Sequence, residues 1–415
     1  MKKLLAIMLA VMLCLVCFAG CGGSEEEKTD DKSSKKTSTT SKTEDKNDDK
    51  TEDENKKEEE AVKGEPLAME YDDYITFENA KVIVSKNEDI VKGTGNTLRA
   101  LKLTEEPIAV AVHNKDGSVE NYDVTVKKAK INIVLICGQS NASGETTGVP
   151  ANGLAYKCAT VQKGVGYMWN AASTSPSGFY GGGKDAFRAA LAQEWYEQSK
   201  AAGAPEKTCF VFQNDYTATP GEKIAEFLDD NGSRGTVKKS AKMVNDCYAY
   251  YTTGNGKDNF EVVGCGMYWL QGESDSKETE SYYIAQFNTL WSRLKNETGG
   301  KLKYCGIMRV RNGFQNLGDS GPITAQKKLA ETNADIFMAS VITENWSGNG
   351  KTPIQVDISN YHIFGESQYE KIVNGNILSE QLDSIYGGLH YSPLGYNIIG
   401  ADAAYNMYKT LRVQR

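Results

Sequence analysis

From Lys130 onward, apolar runs of strand length alternate with amphipathic segments of helix length. No other feature limits the possible folds as strongly, because this alternation is typical of a parallel sheet that helices cover on both faces. The predicted strands are residues 131–137, 208–213, 262–270, 304–310 and 336–343. The predicted helices are residues 185–202, 278–295 and 393–411. We therefore predict a three-layer α/β/α domain with a five-stranded parallel sheet over residues 130–415.

Residues 64–129 show a different pattern, with short β-branched or alternating runs at 81–84, 108–112 and 122–126. The segment Asn114-Lys115-Asp116-Gly117 is a turn that joins the last two runs as a hairpin. We predict a small all-β, sandwich-like module. It is either a spacer or a glycan binder, and the lack of an evident aromatic cluster favours the spacer.

The first 20 residues have the parts of an export signal. Lys2 and Lys3 precede an apolar run over residues 4–16, which is shorter than the ~20 residues that span a bilayer. Small residues then precede Cys21, which resembles the processing site of a bacterial lipoprotein. We expect cleavage before Cys21, a lipid on its thiol, and a membrane-anchored protein on the extracellular side. An ordinary secretory signal that is cleaved elsewhere is the alternative.

Residues 21–63 are predicted to be a disordered, charged tether. Within them, residues 24–60 hold fifteen Asp or Glu and nine Lys, with no aromatic or aliphatic side chain. Such a segment cannot bury a core. It carries −6 of the formal net charge of −8. The chain has no basic field of the kind that binds nucleic acid, so no nucleic-acid partner is expected.

Six cysteines follow Cys21, and no pair of them has metal-ligand spacing such as Cys-x-x-Cys. An exported protein can oxidise its cysteines. Four of these six, however, lie inside apolar, strand-like runs, at positions 137, 209, 265 and 305. We interpret those four as small buried side chains and expect mostly free thiols.

Three short segments, far apart in sequence, carry candidate catalytic residues: Gly138-Gln139-Ser140-Asn141, Trp269-Leu270-Gln271-Gly272-Glu273-Ser274-Asp275 and Leu389-His390-Tyr391-Ser392-Pro393-Leu394-Gly395. The first follows a predicted strand, so Ser140 lies at a strand's carboxyl end, where open α/β sheets have their active sites. A serine nucleophile needs a base, a group that orients the base, and donors for the oxyanion. Among the three histidines, His390 is favoured as the base because its loop precedes the last helix and can return to the strand ends. His113 belongs to the β module, and His362 has no such context.

With these motifs, the stretch 131–412 resembles the SGNH-type hydrolases, in particular the carbohydrate acetylesterase branch with its sialate O-acetylesterase-like and acetylxylan esterase-like members. The resemblance implies a flavodoxin-like SGNH fold. It implies Ser140 as the nucleophile and His390 as the base. It also implies an oxyanion hole made by the Ser140 backbone amide, the Gln271 side chain and a glycine of the stretch Gly181-Gly182-Gly183, for which Gly182 is our choice. No metal and no organic cofactor is expected.

Two departures from the family pattern stand out. The family often has Asp three positions before the catalytic histidine, where this chain has Gly387. Glu344, which follows an apolar run, is the favoured residue to orient His390, and Asp383 is the weaker alternative. The region 214–222 also differs from the Gly-Gly-Thr stretch of relatives, so the substrate rim is expected to differ.

The tryptophans divide into two groups. Trp195, Trp269 and Trp291 lie on predicted helices or strands and are expected to be buried. Trp169 and Trp346 lie in polar surroundings, where a core position and a place in the substrate cleft are equally open.

The sequence therefore predicts a surface-anchored serine esterase that removes O-acetyl groups from an acetylated glycan, of xylan or sialoglycan type, through an acyl-enzyme. The alternative from another class is a non-catalytic glycan-binding lipoprotein on a degenerate hydrolase scaffold, which Gly387 keeps open. A hydrolase of lipid or thioester substrates is a third possibility.

Overall fold

The structure is a computed structural model that describes residues 61–144, 161–179, 186–311, 321–345, 386–387, 390–391 and 393–414. All of these belong to one unit, Glu58–Arg415. The expectations for the export signal, Cys21, the tether up to residue 60, Cys158, Gly182, Trp346, His362 and Asp383 lie outside the described residues. None of the described helices is long and apolar enough to cross a membrane.

Residues 62–127 form eight strands and, within that range, no helix. The strands are β1 (Val62–Lys63), β2 (Leu67–Glu70), β3 (Tyr74–Thr76), β4 (Ala80–Ser85), β5 (Val91–Thr94), β6 (Thr97–Ala100), β7 (Ile108–Asn114) and β8 (Val119–Lys127). One sheet has the order β1-β8-β7-β4, with β2 also paired to β8, and the other has the order β3-β6-β5. Val91, Leu98, Val110 and Val124 are buried in one shared core, so their burial stabilises both sheets together. The predicted β7–β8 hairpin is confirmed by its antiparallel pairing.

The second part of the chain is built on a seven-stranded sheet. Its strands are β9 (Ala129–Gly138), β10 (Gly166–Trp169), β11 (Ser177–Phe179), β12 (Glu206–Val211), β13 (Phe260–Leu270), β14 (Tyr304–Met308) and β15 (Ile336–Ser340). Their order is β11-β10-β12-β9-β13-β14-β15. Every neighbouring pair is parallel except β10–β11, which is antiparallel. The prediction of a five-stranded, purely parallel sheet is therefore corrected: the five predicted strands are present, β10 extends the parallel set, and β11 makes the sheet mixed.

Six helices lie in the described part of the chain: α1 (Ser140–Ser143), α2 (Ala186–Ala201), α3 (Val237–Thr252), α4 (Glu280–Glu297), α5 (Gly321–Thr332) and α6 (Pro393–Gln414). Side chains of β9 alternate between two apolar cores. Val134 and Ile136 pack in a core with α2 and α6, whereas Ile133 and Leu135 pack in a core with α3, α4 and α5. Helices therefore cover both faces of the sheet, and three of them agree with the predicted segments.

Five cysteines of the body lie in the described ranges, at positions 137, 209, 247, 265 and 305, and all are buried free thiols. Four of them lie on the central strands β9, β12, β13 and β14, which confirms their interpretation as small core side chains. The Sγ atoms of Cys209 and Cys247 are 3.7 Å apart.

The β module is in direct contact with the seven-stranded sheet. Only Lys128 separates β8 from β9. The Lys207 side chain, at the amino end of β12, is fully buried and donates to Asp73 of the module at 2.7 Å. Tyr167 donates to Asp72 at 2.9 Å. The module is therefore joined to the amino ends of the parallel strands, and no linker of spacer length lies between the two parts.

Candidate active site

Ser140 lies at a sharp turn between the central strand and a short helix. Gly138 ends β9 with φ +146°, and a Cβ there would lie 2.1 Å from the carbonyl oxygen of Leu270. Only glycine fits this close approach. Ser140 is the first residue of α1 and is 5% exposed. The N–H of a first helical residue has no acceptor within its helix, and the role of the Ser140 amide as an oxyanion donor stays a prediction.

The residues on both sides of Ser140 are bonded to the turn that follows β13. The side-chain oxygen of Gln139 accepts from the backbone N–H of Gly272 at 3.3 Å and of Ser274 at 3.2 Å. Asn141 donates its side-chain N–H to Glu273 Oε1 at 2.6 Å. The first two sequence motifs are therefore held together around the serine.

His390 lies on β17 (His390–Tyr391), which pairs antiparallel with β16 (Tyr386–Gly387). Gly387 is the register partner of His390, so the residue directly opposite the histidine has no side chain. His390 is 6% exposed, and β17 contacts α1, the helix that begins with Ser140. The structure thus brings the third motif to the helix that carries the first.

Glu344 lies on a 3₁₀ turn, Ile342–Asn345, just after β15. Its side chain is 59% exposed, and one carboxylate oxygen lies 3.9 Å from Nη2 of Arg309. A half-exposed ion pair of this length is weak. The role of Glu344 in orienting His390 stays a prediction, and the weaker alternative, Asp383, lies outside the described residues.

The Gln271 side chain is bonded to three groups other than the serine. It is fully buried, its Nε2 donates to the carbonyl oxygen of Glu222 at 3.1 Å and to the Asp275 carboxylate, and its Oε1 accepts from the Tyr283 hydroxyl at 2.9 Å. Both N–H groups of an amide are thereby used. Tyr283 belongs to the core that α3, α4 and α5 cover, whereas Ala142 of α1 packs in the opposite core. In this geometry the amide of Gln271 is taken up by these partners, and its role as an oxyanion donor stays a prediction.

Three buried carboxyl groups surround this region. Burial raises the pKa of Glu222 to about 7. Burial also raises the pKa of Glu273 and of Asp275. Desolvation disfavours the charged form of each. Glu222 falls in the segment 214–222 that departs from the family pattern.

Glu273 and Tyr396 were not predicted as site residues, although Glu273 is two residues beyond Gln271 in the same motif. The Tyr396 hydroxyl donates to Asn141 Oδ1 at 2.9 Å. In the sequence, the feature that could have indicated Tyr396 is its position in the first turn of the predicted last helix, close after His390.

The tryptophans are core residues wherever the structure describes them. Trp195, Trp269 and Trp291 are buried, as predicted. Trp169 lies on β10, is buried, and packs against Tyr250 at 5.6 Å between ring centroids. Of the two positions left open for Trp169, the core is therefore right and the substrate cleft is wrong.

The described residues contain no group of three His, Cys, Asp or Glu that could hold a metal ion. No protein-family model matches the chain, and no curated protein matches it. A protein from Arabidopsis thaliana is 14% identical, with 67% of this chain and 98% of that chain covered and a TM-score of 0.42.

Two further solved structures are similar to this chain. A carbohydrate acetylesterase from Xanthomonas citri is 15% identical, with 68% of this chain and 67% of that chain covered and a TM-score of 0.32. A lipase from a goat rumen metagenome is 9% identical, with 68% and 98% covered and a TM-score of 0.32. These values are too low to carry a conclusion about the family or substrate of this chain.

Proposed function

We propose that this chain is a serine esterase that removes O-acetyl groups from glycans through an acyl-enzyme intermediate, on a flavodoxin-like SGNH fold. The observation that carries the proposal is the position of Ser140 at the first turn of α1, directly after the central strand, with the His390 strand in contact with the same helix. A nucleophile on a strand-to-helix turn beside a histidine is the arrangement that acyl transfer needs.

In the proposed reaction, His390 takes the proton of Ser140 while Oγ attacks the acetyl carbonyl. The oxyanion forms at the backbone amide of Ser140, with Gly182 proposed as a second donor. The sugar hydroxyl leaves with the proton from His390. Water, deprotonated by His390, then attacks the acyl-enzyme, and acetate leaves as Ser140 regains its proton.

The proposed setting is outside the cell. The export signal and Cys21 are consistent with a lipid anchor in the membrane, and the charged segment with a tether that extends the body from it. A tethered enzyme suits a large extracellular substrate, and an acetylated glycan of xylan or sialoglycan type is the proposed partner. Within the proposed mechanism no step requires a metal or a cofactor.

The test is hydrolysis of p-nitrophenyl acetate, acetylated xylan and O-acetylated sialoglycan by the purified protein and by Ser140→Ala. Ser199→Ala is a matched control, because Ser199 is also a buried serine but bonds to the Glu206 amide at the amino end of β12. We expect acetate release that the Ser140 variant loses and the Ser199 variant keeps.

Folded protein that hydrolyses none of these esters would overturn the esterase proposal. The binding-only alternative would then take its place, with Gly387 opposite His390 as the structural reason. Release from xylan but not from sialoglycan, or the reverse, would identify the polymer class.

A further inference from the structure

We propose that Glu273 positions the nucleophile Ser140 through the side chain of Asn141, a role that rests on the esterase function proposed above. Glu273 touches neither the serine hydroxyl nor, in this proposal, the substrate. It fixes the residue that follows the serine, and so it fixes the first turn of α1.

The hydrogen bonds of Asn141 allow its amide one orientation. Nδ2 donates to Glu273 Oε1 at 2.6 Å, and Oδ1 accepts from the Tyr396 hydroxyl at 2.9 Å. A carboxylate only accepts hydrogen bonds, so the nitrogen of the amide must face Glu273. All three side chains are buried, and a buried bond to a charged group is among the strong hydrogen bonds of a protein.

The same turn also holds the residue before the serine. Gln139 Oε1 accepts from the backbone of Gly272 and Ser274, which flank Glu273 in sequence. The backbone N–H of Gln139 donates to Leu270 O at 3.1 Å. Ser140 is thus the one residue between two that are both bonded to the segment 270–274, and Glu273 supplies the only side chain of that segment in these bonds.

Two neighbours of Glu273 favour its carboxylate form. Burial raises the pKa of Glu273 on balance, whereas the hydrogen bond from Asn141 and the charge of Arg311, itself buried, act in the opposite direction. Arg311 also lies over the ring of Tyr391, with 5.9 Å from its guanidinium carbon to the ring centroid. Tyr391 follows His390 directly, so Arg311 connects the surroundings of Glu273 with the strand of the proposed base.

This placement predicts an effect on turnover and little effect on substrate binding. A misplacement of a reacting group by 1 Å can lower a rate by about 10²-fold. When Asn141 loses its acceptor, the first turn of α1 is held from one side only, and Oγ of Ser140 samples positions away from the histidine. Contacts to the rest of the substrate are unchanged, so KM is expected to stay within about threefold.

The experiment measures kcat and KM for p-nitrophenyl acetate in four proteins: the wild type, Glu273→Met, Asn141→Asp and the double variant Glu273→Gln/Asn141→Asp. Each single change disturbs the pair, because Glu273→Met offers Asn141 no acceptor, and Asn141→Asp places a second carboxylate opposite Glu273. We expect kcat to fall about 100-fold in each. The double variant restores a donor and an acceptor with the direction of the bond reversed, and its kcat is expected within about tenfold of the wild type.

Glu206→Met is the matched control, because it also removes the acceptor of a buried hydrogen bond. Glu206 is a buried glutamate of the same sheet, and its Oε2 accepts from the side chain of Asn132 at 2.7 Å and from Trp195 at 2.8 Å. The bond has the same chemistry but lies at the amino ends of the strands. Its loss is expected to lower the melting temperature and to leave kcat unchanged within twofold.

The outcomes separate this role from the proposed function. Wild-type protein that hydrolyses no ester contradicts the esterase function and, with it, this role. An active wild type with Glu273→Met and Asn141→Asp within twofold in kcat contradicts the positioning role and leaves the esterase function intact. If a single variant does not fold, the folded double variant decides: recovery within tenfold supports the role, and a loss beyond 100-fold overturns it.

Discussion

The ammonium group of Lys207 and the carboxylate of Asp73 lie 2.7 Å apart, although the two residues are 134 positions apart in sequence. Lys207 also donates to the carbonyl oxygen of Gly164 at 2.7 Å. Its side chain is fully buried, and a buried cation is stable only when it is paired. The seven-stranded sheet therefore depends on the β module for the counter-charge of one of its own side chains.

We predict that Asp73→Ala lowers the free energy of unfolding by about 3 kcal/mol, because it leaves the Lys207 charge buried without its partner. Asp123→Ala removes the exposed Lys63–Asp123 pair, 3.3 Å apart, and is expected to cost less than about 1 kcal/mol. Urea unfolding of both variants measures the difference. The double variant Asp73→Ala/Lys207→Met should recover part of the loss, and equal costs for the two single variants would show that the junction is not needed.

The contribution of Glu222 is predicted to make the folded protein less stable as the pH rises from about 5 to about 8. Burial raises its pKa from 4.5 to about 7 in the folded protein. The folded state therefore holds this proton more tightly than the unfolded state, so the contribution is complete below pH ~4.5 and is lost as the pH passes 7. Glu70, whose pKa burial and Asp73 raise to about 7, acts in the same direction.

The check is the melting temperature of wild type and Glu222→Gln at pH 5 and pH 8. At pH 8, Glu222→Gln should have a higher melting temperature than the wild type. Its melting temperature should also change less between pH 5 and pH 8. Glu261→Gln, at an exposed position on β13, is the control that should change neither. A pH dependence that Glu222→Gln leaves intact would exclude Glu222 as its source.

Gln271→Ala distinguishes a structural amide from an oxyanion donor. The structure predicts a loss of about 2–4 kcal/mol in unfolding free energy, because Glu222 O, Asp275 and the Tyr283 hydroxyl lose a partner. It predicts a kcat within severalfold of the wild type for the molecules that remain folded. Removal of an oxyanion donor lowers kcat by about 10²–10³-fold, so a loss of that size at unchanged stability would support the role implied by the family resemblance.

Gly138→Ala is predicted to destroy the turn that carries Ser140. The added Cβ would lie 2.1 Å from Leu270 O at a φ of +146°, so strand pairing or the turn must give way, and esterase activity should fall by more than about 100-fold. Gly95→Ala is the control, because Gly95 also has a positive φ, +60°, but has nothing within 4 Å of the new Cβ. It should cost about 1–2 kcal/mol and leave kcat unchanged. Equal behaviour of both variants would refute the importance of the close approach.

Much of the sheet could be predicted because buried parallel strands are continuous apolar runs. β10 and β11 were not predicted because they have only four and three residues, too few to show the alternation of apolar and polar side chains. α3 had a usable signal: Val237, Ala241 and Val244 follow helical spacing, and Thr236 caps the helix by accepting from the Lys239 amide at 3.1 Å.

The site was predictable as a set of motifs but not as a set of contacts. Gln271 and Glu273 are neighbours in one motif, yet their side chains serve different surroundings: one joins Asp275 and Tyr283, the other joins Asn141. Residues two apart in a strand share a face. Gly272, which lies between Gln271 and Glu273, has φ +149° and turns the chain, so their side chains do not share a face. A sequence pattern does not reveal such a change of direction.

The length of the central strand β9 sets the distance between the module and the nucleophile. It has ten residues, which at about 3.3 Å per residue span roughly 33 Å. Every contact of the module noted above lies at the amino ends of the strands, and Ser140 lies at the opposite ends. A sugar ring bound by the module could not reach the serine, so a module that assists the enzyme would have to hold the polymer about 30 Å from the ester that is cut.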